Sequence, residues 1–253
     1  MKLPIGQLDK SAYKEDLQDK LKKRKLIFFI LLFMTPIAIV LMETVGADYT
    51  KPVNPHELTG PVAYVNTGTG TGTAFLTGSK TLLTAKHVVE DINIGEEVEL
   101  VFMSLDPIIN TRAIVIWKDN SKEKESDFAV LKLVDTSVLP EDMPVLSLGD
   151  SDKIIVGDEI VAIGYPAGIF SYTRGIISST MINTINSSID LIKIDCYIHY
   201  GSSGGPVILK ESEEVIGLAE SGIPGGEFSG MNYSSKINRL MDATDMAGID
   251  IYE

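Results

Sequence analysis

Cysteine is nearly absent from this chain: Cys196 is the only one in 253 residues. No intrachain disulfide can form and no cysteine cluster can hold zinc. Histidine is scarce too, with three, and none stands in the H-E-x-x-H spacing of a helical metal site. The glycine run Gly68-Thr69-Gly70-Thr71-Gly72 lacks the third glycine of a dinucleotide fingerprint, and no Gly-Lys-Ser/Thr follows it, which excludes a phosphate cradle. No metal and no cofactor is therefore expected. Basic charge is also missing from most of the chain. The whole carries −13, residues 1–25 carry +4 and residues 26–47 carry −1, which leaves −16 on the remainder. A region that acidic repels phosphate backbones, so nucleic acid is not expected as a partner.

What the chain does have, first, is a long run without charge. Leu26 to Met42 is apolar on every face apart from Thr35 and Pro36, near the lower length limit for crossing a bilayer as a helix. Lys22-Lys23-Arg24-Lys25 precede it, and Glu43 and Asp48 follow it. Cationic flanks stay on the cytoplasmic side. Residues 1–25 thus read as a basic cytoplasmic tail, 26–45 as a transmembrane signal-anchor and 46–60 as a linker, with everything after the span outside the cytoplasm. Pro52 and Pro55 mark the linker as an extended tether, and His56 within it has no ligand-spaced partner. Val45-Gly46-Ala47 offer small residues for cleavage, so the alternative is a leader whose removal releases a secreted soluble protein; the stretch ahead of the apolar run is long for one.

From Pro61 the pattern changes to short alternating runs between turn residues, the mark of an all-β domain over 61–253. The expected strands are 62–65, 73–76, 81–84, 98–102, 113–117, 128–134, 159–164, 173–180, 191–194, 206–209, 215–219 and 231–234. Twelve such strands suit two six-stranded barrels. Ile237, Leu240, Met241 and Ala243 then fall at helical spacing, predicting a terminal helix within 235–247.

Three segments carry chemistry. In Tyr200-Gly201-Ser202-Ser203-Gly204-Gly205-Pro206-Val207 the composition alone suits an ordinary turn. Glycines on both sides of Ser203, however, let its hydroxyl project while nearby N–H groups converge. A serine nucleophile needs a base for its proton, and the base needs an acid to fix its tautomer. Thr84-Ala85-Lys86-His87-Val88-Val89 and Ser126-Asp127-Phe128-Ala129-Val130-Leu131-Lys132-Leu133 each set one candidate beside an apolar run. Asp127 is preferred to Asp119 because it directly precedes a strand and can face inward from its edge.

These segments resemble, in order and over roughly residues 62–241, the three motifs of trypsin-like serine proteases, most of all the HtrA (Deg) branch. The resemblance implies the chymotrypsin-like pair of six-stranded antiparallel β-barrels, with a C-terminal helix and, here, one N-terminal transmembrane helix ahead of it. It implies a serine endopeptidase with His87, Asp127 and Ser203 as triad and the N–H groups of Gly201 and Ser203 as oxyanion hole. Tyr197 and Ile198 would form floor and wall of the primary pocket, with Ala219, Gly222 and Gly230 lining its other sides. Glu220, Ser221 and Gly222 would pair with the substrate backbone. No Asp stands at the pocket base, so uncharged, small aliphatic residues are the expected preference. Polypeptides, unfolded ones among them, are the expected substrates. HtrA proteins usually continue into a PDZ domain, and none is expected within these residues. The alternative class is a catalytically silent protease fold that binds peptides or partner proteins. His199 reads as a wall or surface residue, Glu220 as a solvent-facing carboxylate and Cys196 as a small buried one.

Overall fold

The computed structural model describes residues 55–121, 126–183, 188–220 and 231–253. The expected basic tail, membrane span and most of the linker lie outside these residues. Among the described residues no helix is long and apolar enough to cross a membrane. Where the prolines imply an extended tether, Pro55–Thr59 forms a short helix, α1. Proline suits a first helical position, because the N–H it lacks is one that a helix start leaves unbonded anyway.

The first barrel is built from β1 (Val62–Asn66), β2 (Thr71–Leu76), β3 (Thr81–Thr84), β4 (Glu97–Phe102), β5 (Ile109–Lys118) and β6 (Ala129–Leu133). It closes in the order β1-β2-β3-β6-β5-β4. Alternation decides which way each strand faces: in β4 the glutamates Glu97 and Glu99 are exposed while Val98, Leu100 and Phe102 are buried. Those three pack with Val65, Leu76, Leu82, Val115 and Leu131. Full burial of each such side chain contributes roughly 1.5–3 kcal/mol. β5 starts four residues ahead of the expected Ala113, since Ile109 to Arg112 pair with β4 through a solvent-facing stretch that hydrophobicity alone does not reveal.

The second barrel uses β7 (Glu159–Gly164), β8 (Ser171–Ser179), β11 (Leu191–Ile194), β12 (Pro206–Leu209), β13 (Glu214–Glu220) and β14 (Asn232–Lys236), closed as β11-β14-β13-β12-β7-β8. A two-residue hairpin, β9 (Ile182–Asn183) with β10 (Ser188–Ile189), is an addition to the expected set. Ile182 and Ile189 cover Leu191 and Tyr233. Helix α2 (Ile237–Ala247) buries Ile237, Leu240 and Thr244 and ends at Gly248, whose φ of 68° closes the last turn. It starts two residues later than Ser235, because Ser235 and Lys236 still pair in β14.

The seam between the barrels is aromatic and hydrogen-bonded. Tyr165, just past β7 and fully buried, donates its hydroxyl to the Val62 carbonyl at 3.0 Å and meets Tyr64 edge-on at 6.0 Å. This seam carries the three chemical segments to one place.

Candidate functional site

His87 sits on a 3-10 turn, Lys86–Val89, that leaves β3 directly. Val88 and Val89 are buried and pull the turn onto the barrel, leaving the imidazole 45% exposed. Gly72 makes room for this, since a Cβ there would stand 2.4 Å from a Val88 methyl. Strand register then delivers Asp127. β3 and β6 are antiparallel with Thr84 opposite Ala129, so the same register carried two residues further sets Asp127 against Lys86. The Lys86 N–H accordingly donates to the Asp127 carbonyl at 3.1 Å.

One Asp127 carboxylate oxygen accepts the His87 main-chain N–H at 2.8 Å, and the other bonds His87 Nδ1. Burial pushes the Asp127 carboxyl up, but the hydrogen bonds and charge of His87, with help from Lys86, outweigh it and hold the group below its ordinary value. Burial likewise pulls His87 down, yet the Asp127 hydrogen bond and charge, and Glu90 behind them, raise it overall. A carboxylate on Nδ1 fixes the tautomer that leaves Nε2 able to accept a proton. Asp119 is 7% exposed but turned to its own loop, where it accepts the Ser121 N–H at 2.8 Å.

Ser203 is 4% exposed, in a loop between β11 and β12. A turn over His199 to Ser202, closed by Ser202 N–H to the His199 carbonyl at 2.8 Å, has Gly201 at φ 96° in its third position. That is the glycine place of a type II turn. A Cβ on Gly201 would stand 2.4 Å from the Tyr165 carbonyl, and one on Gly204 2.6 Å from the Ala85 nitrogen. Glycine therefore lets the loop lie against the first barrel, two residues before His87.

Five successive carbonyls of this loop are bonded into the protein. His199 accepts Ser202 N–H, Tyr200 accepts Ala167 N–H at 2.8 Å, and Gly201 accepts the Thr73 hydroxyl at 2.7 Å. Ser202 accepts Gly205 N–H at 3.0 Å, and Ser203 accepts Thr73 N–H at 2.9 Å. In a trans peptide C=O and N–H point oppositely. With the Tyr200 carbonyl aimed at Ala167, the Gly201 N–H is aimed away from it.

Of the expected pocket residues, Ile198 is buried in the second core and Ala219, 1% exposed, is hydrogen-bonded to Gly204 and Gly205. Tyr197 is 64% exposed and stacked on His199. The inside-outside alternation of β11 simply continues past its end, with Cys196 and Ile198 inward and Tyr197 and His199 outward. Burial pushes the Cys196 thiol up to about 11, so it is no nucleophile. Tyr200 is 78% exposed and meets His199 edge-on at 5.3 Å. Glu220 ends β13 half-buried, opposite Tyr233 in register. Ser221, Gly222 and Gly230 lie outside the described residues. Among the described residues no three His, Cys, Asp or Glu side chains converge to hold a metal ion. Motif patterns do not mark Thr73, Tyr165 or Ala167, because their part is played through main-chain partners far away in sequence.

The family model for a trypsin-like peptidase domain matches residues 72–218, more than half of the chain. The chain belongs to the trypsin-like peptidase family. Within it, the relatives are of the HtrA type. A probable periplasmic serine endoprotease, DegP-like, of Hahella chejuensis is 32% identical over 192 residues, covering 75% of this chain and 37% of that protein. The structure of the HtrA-type protease AlgW with a tripeptide is 26% identical with a TM-score of 0.58, covering 76% of this chain and 62% of that one. Rv3671c from M. tuberculosis, in an inactive form, shares the fold at 20% identity and a TM-score of 0.61, covering 79% of this chain and 91% of that one. The chain spans about a third of the length of the DegP-like relatives it matches. The matched residues 72–218 of this trypsin-like peptidase include His87, Asp127 and the loop of Ser203.

Proposed function

We propose that this trypsin-like peptidase is a serine endopeptidase acting outside the cytoplasm on polypeptides, held to the membrane by residues 26–45. The observation that carries the reading is the His87–Asp127 hydrogen bond beside a glycine-lined serine loop whose carbonyls are bonded into the protein. In this reading Ser203 Oγ attacks the peptide carbonyl carbon while His87 Nε2 takes the hydroxyl proton. The carbonyl oxygen becomes an oxyanion received by the N–H groups of Gly201 and Ser203. Collapse of the tetrahedral intermediate breaks the C–N bond, and His87 hands its proton to the leaving amine. Water then attacks the acyl-enzyme, losing a proton to His87, and collapse returns that proton to Ser203 with release of the acid. Asp127 stays ionised throughout and stabilises the imidazolium.

Ile198 and Ala219 are apolar, and the positions assigned to the pocket floor and walls, Tyr197, Ile198, Ala219, Gly222 and Gly230, include no carboxylate, which supports uncharged aliphatic residues before the cut. Glu220, Ser221 and Gly222 would take the substrate backbone as an added strand, with Gly230 across the pocket. Processing or quality control outside the cytoplasm fits both the basic cluster before the apolar run and the periplasmic description of the Hahella relative.

The test is fluorophosphonate labelling of the full chain, with peptide mapping and with Ser203→Ala and His87→Ala in parallel. Label on Ser203, absent from both variants, is the expected result. A folded wild type that takes no label even with unfolded casein present would leave a peptide-binding module in place of the enzyme.

A further inference from the structure

Thr73, on β2, is fully buried and joins three separate points of the molecule. Its hydroxyl donates to the Gly201 carbonyl at 2.7 Å and accepts the Tyr165 N–H at 3.1 Å. Its main-chain N–H donates to the Ser203 carbonyl at 2.9 Å, and its carbonyl accepts the Thr84 hydroxyl at 2.7 Å. Two glycines of the second barrel clear the space around it. A Cβ on Gly164 would stand 3.1 Å from the Thr73 hydroxyl, and one on Gly205 3.2 Å from its methyl.

The geometry points to Thr73 as the positioning residue of the oxyanion turn: its hydroxyl holds the Gly201–Ser202 peptide directly and, through the Tyr165 N–H, the turn whose Ala167 N–H aims the Gly201 N–H. This rests on the peptidase reading above and says which residue makes the nucleophile loop competent. A glycine at φ 96° has no side chain to fix the peptides on either side of it, so they rotate unless bonded. Ala167 N–H bonds the Tyr200 carbonyl on one side, and the Thr73 hydroxyl bonds the Gly201 carbonyl on the other. The two anchors are linked, because the same hydroxyl also bonds Tyr165 N–H at the start of the turn that carries Ala167. The position needs a donor and an acceptor on one atom. Serine retains both, whereas valine keeps the shape of threonine and has neither. Without the hydroxyl, a buried carbonyl and a buried N–H lose their partner together and the Gly201 peptides are free to turn.

The test compares Thr73→Val and Thr73→Ser with the full-length wild type, in peptide hydrolysis, in affinity for a peptide boronate and in hydrogen exchange over residues 197–205. A boronate forms a tetrahedral adduct on serine and so reads the oxyanion turn, while a product peptide reads binding alone. Thr73→Val is expected to lower kcat about tenfold to hundredfold, from the usual cost of unsatisfied buried groups. Its KM and product-peptide affinity stay unchanged, boronate affinity falls by the same factor as kcat, and exchange at Ser202 and Gly204 quickens. Thr73→Ser restores all three. Wild-type kcat in a folded Thr73→Val, or a Thr73→Ser as impaired as Thr73→Val, would overturn the assignment. A wild type without activity sinks the peptidase reading alone. In that case exchange still decides whether the hydroxyl orients the loop, with unchanged exchange in Thr73→Val counting against it.

Discussion

The two barrels bring their chemical groups to the seam by different means. In the first, His87 and Asp127 follow and precede strands that are paired to each other, so ordinary antiparallel register puts them in contact. In the second, Ser203 lies in a loop with no ladder of its own, held by hydrogen bonds to the first barrel, to the β7–β8 turn and to β13, and by glycines that tolerate close approach. A register is defended by every residue of both strands. A loop depends on a few individual bonds. The acid–base pair should therefore survive changes around it, whereas the oxyanion turn should be lost through single small changes some distance from the substrate.

The sharpest form of that contrast removes each half in turn. His87→Ala should lower kcat about a millionfold and Asp127→Asn about ten-thousandfold, as for other serine triads. Both variants should stay folded, because the β3–β6 ladder does not depend on either side chain, with Asp127→Asn losing only the stability that the lowered Asp127 carboxyl contributes. Thermal unfolding monitored alongside peptide hydrolysis separates the outcomes. Collapse of the fold in Asp127→Asn would mean that the carboxylate, not the register, holds this corner together.

Gly201→Ala attacks the other half. Its Cβ would press the Tyr165 carbonyl at 2.4 Å from a backbone already at φ 96°. Conformational strain of that kind costs roughly 1–3 kcal/mol, and loss of one oxyanion donor costs about 100-fold to 1000-fold in turnover. The variant should be folded, slow in kcat and little changed in KM. Measuring kcat and KM separately checks this, and a rise in KM alone would place Gly201 in substrate binding instead.

The same contrast explains how much of the fold and of the site is legible in the sequence. Strands 81–84, 159–164, 191–194 and 206–209 fall where the short apolar runs place them. The three chemical segments stand out in the sequence because a nucleophile, a base and an acid each need a distinctive neighbourhood, and the structure brings two of them, His87 and Asp127, into contact. The outward turn of Tyr197 is legible in the alternation running through Asp195 to His199, and not in its distance from Ser203 along the chain. Thr73 carries no signal, because a threonine in a strand looks the same whether its hydroxyl is idle or bonds a carbonyl 128 residues away. The β9–β10 hairpin is two residues per strand, too short for any period to show.

The pH dependence tests the pair without altering the loop. In the proposed mechanism His87 must be neutral to accept the serine proton, and Asp127 raises it above its ordinary 6.5. Activity should therefore rise with pH, its half-maximal point above 6.5. In Asp127→Asn the carboxylate no longer offsets burial, so the midpoint should move down even as the maximum falls. Asp127 itself is held below 3.8, so its contribution to stability is present above that value and is lost as pH falls through the lowered one. A pH–rate profile whose midpoint stays put in Asp127→Asn would show that another group titrates.

The smallest effect should come from the seam far from the site. Residues Ile251 to Glu253 lie along the β2–β3 turn of the first barrel, with the Glu253 main-chain oxygen accepting Lys80 N–H at 3.1 Å and the Thr81 hydroxyl at 3.2 Å. The Glu253 carboxylate pairs with both Lys132 and Lys80, and these hold its carboxyl down at about 2. These ions are exposed, so salt and side-chain freedom remove most of their value. Glu253→Gln should leave kcat and KM unchanged and lower the thermal midpoint slightly at low salt. The difference should vanish in 1 M salt, where the screening length is about 3 Å. It should also vanish as pH falls toward 2, because a depressed carboxyl stabilises only above its lowered value. A fall in kcat with the fold intact would show that the whole seam, and not the few bonds at Gly201 and Ser203, sets the geometry of the nucleophile loop.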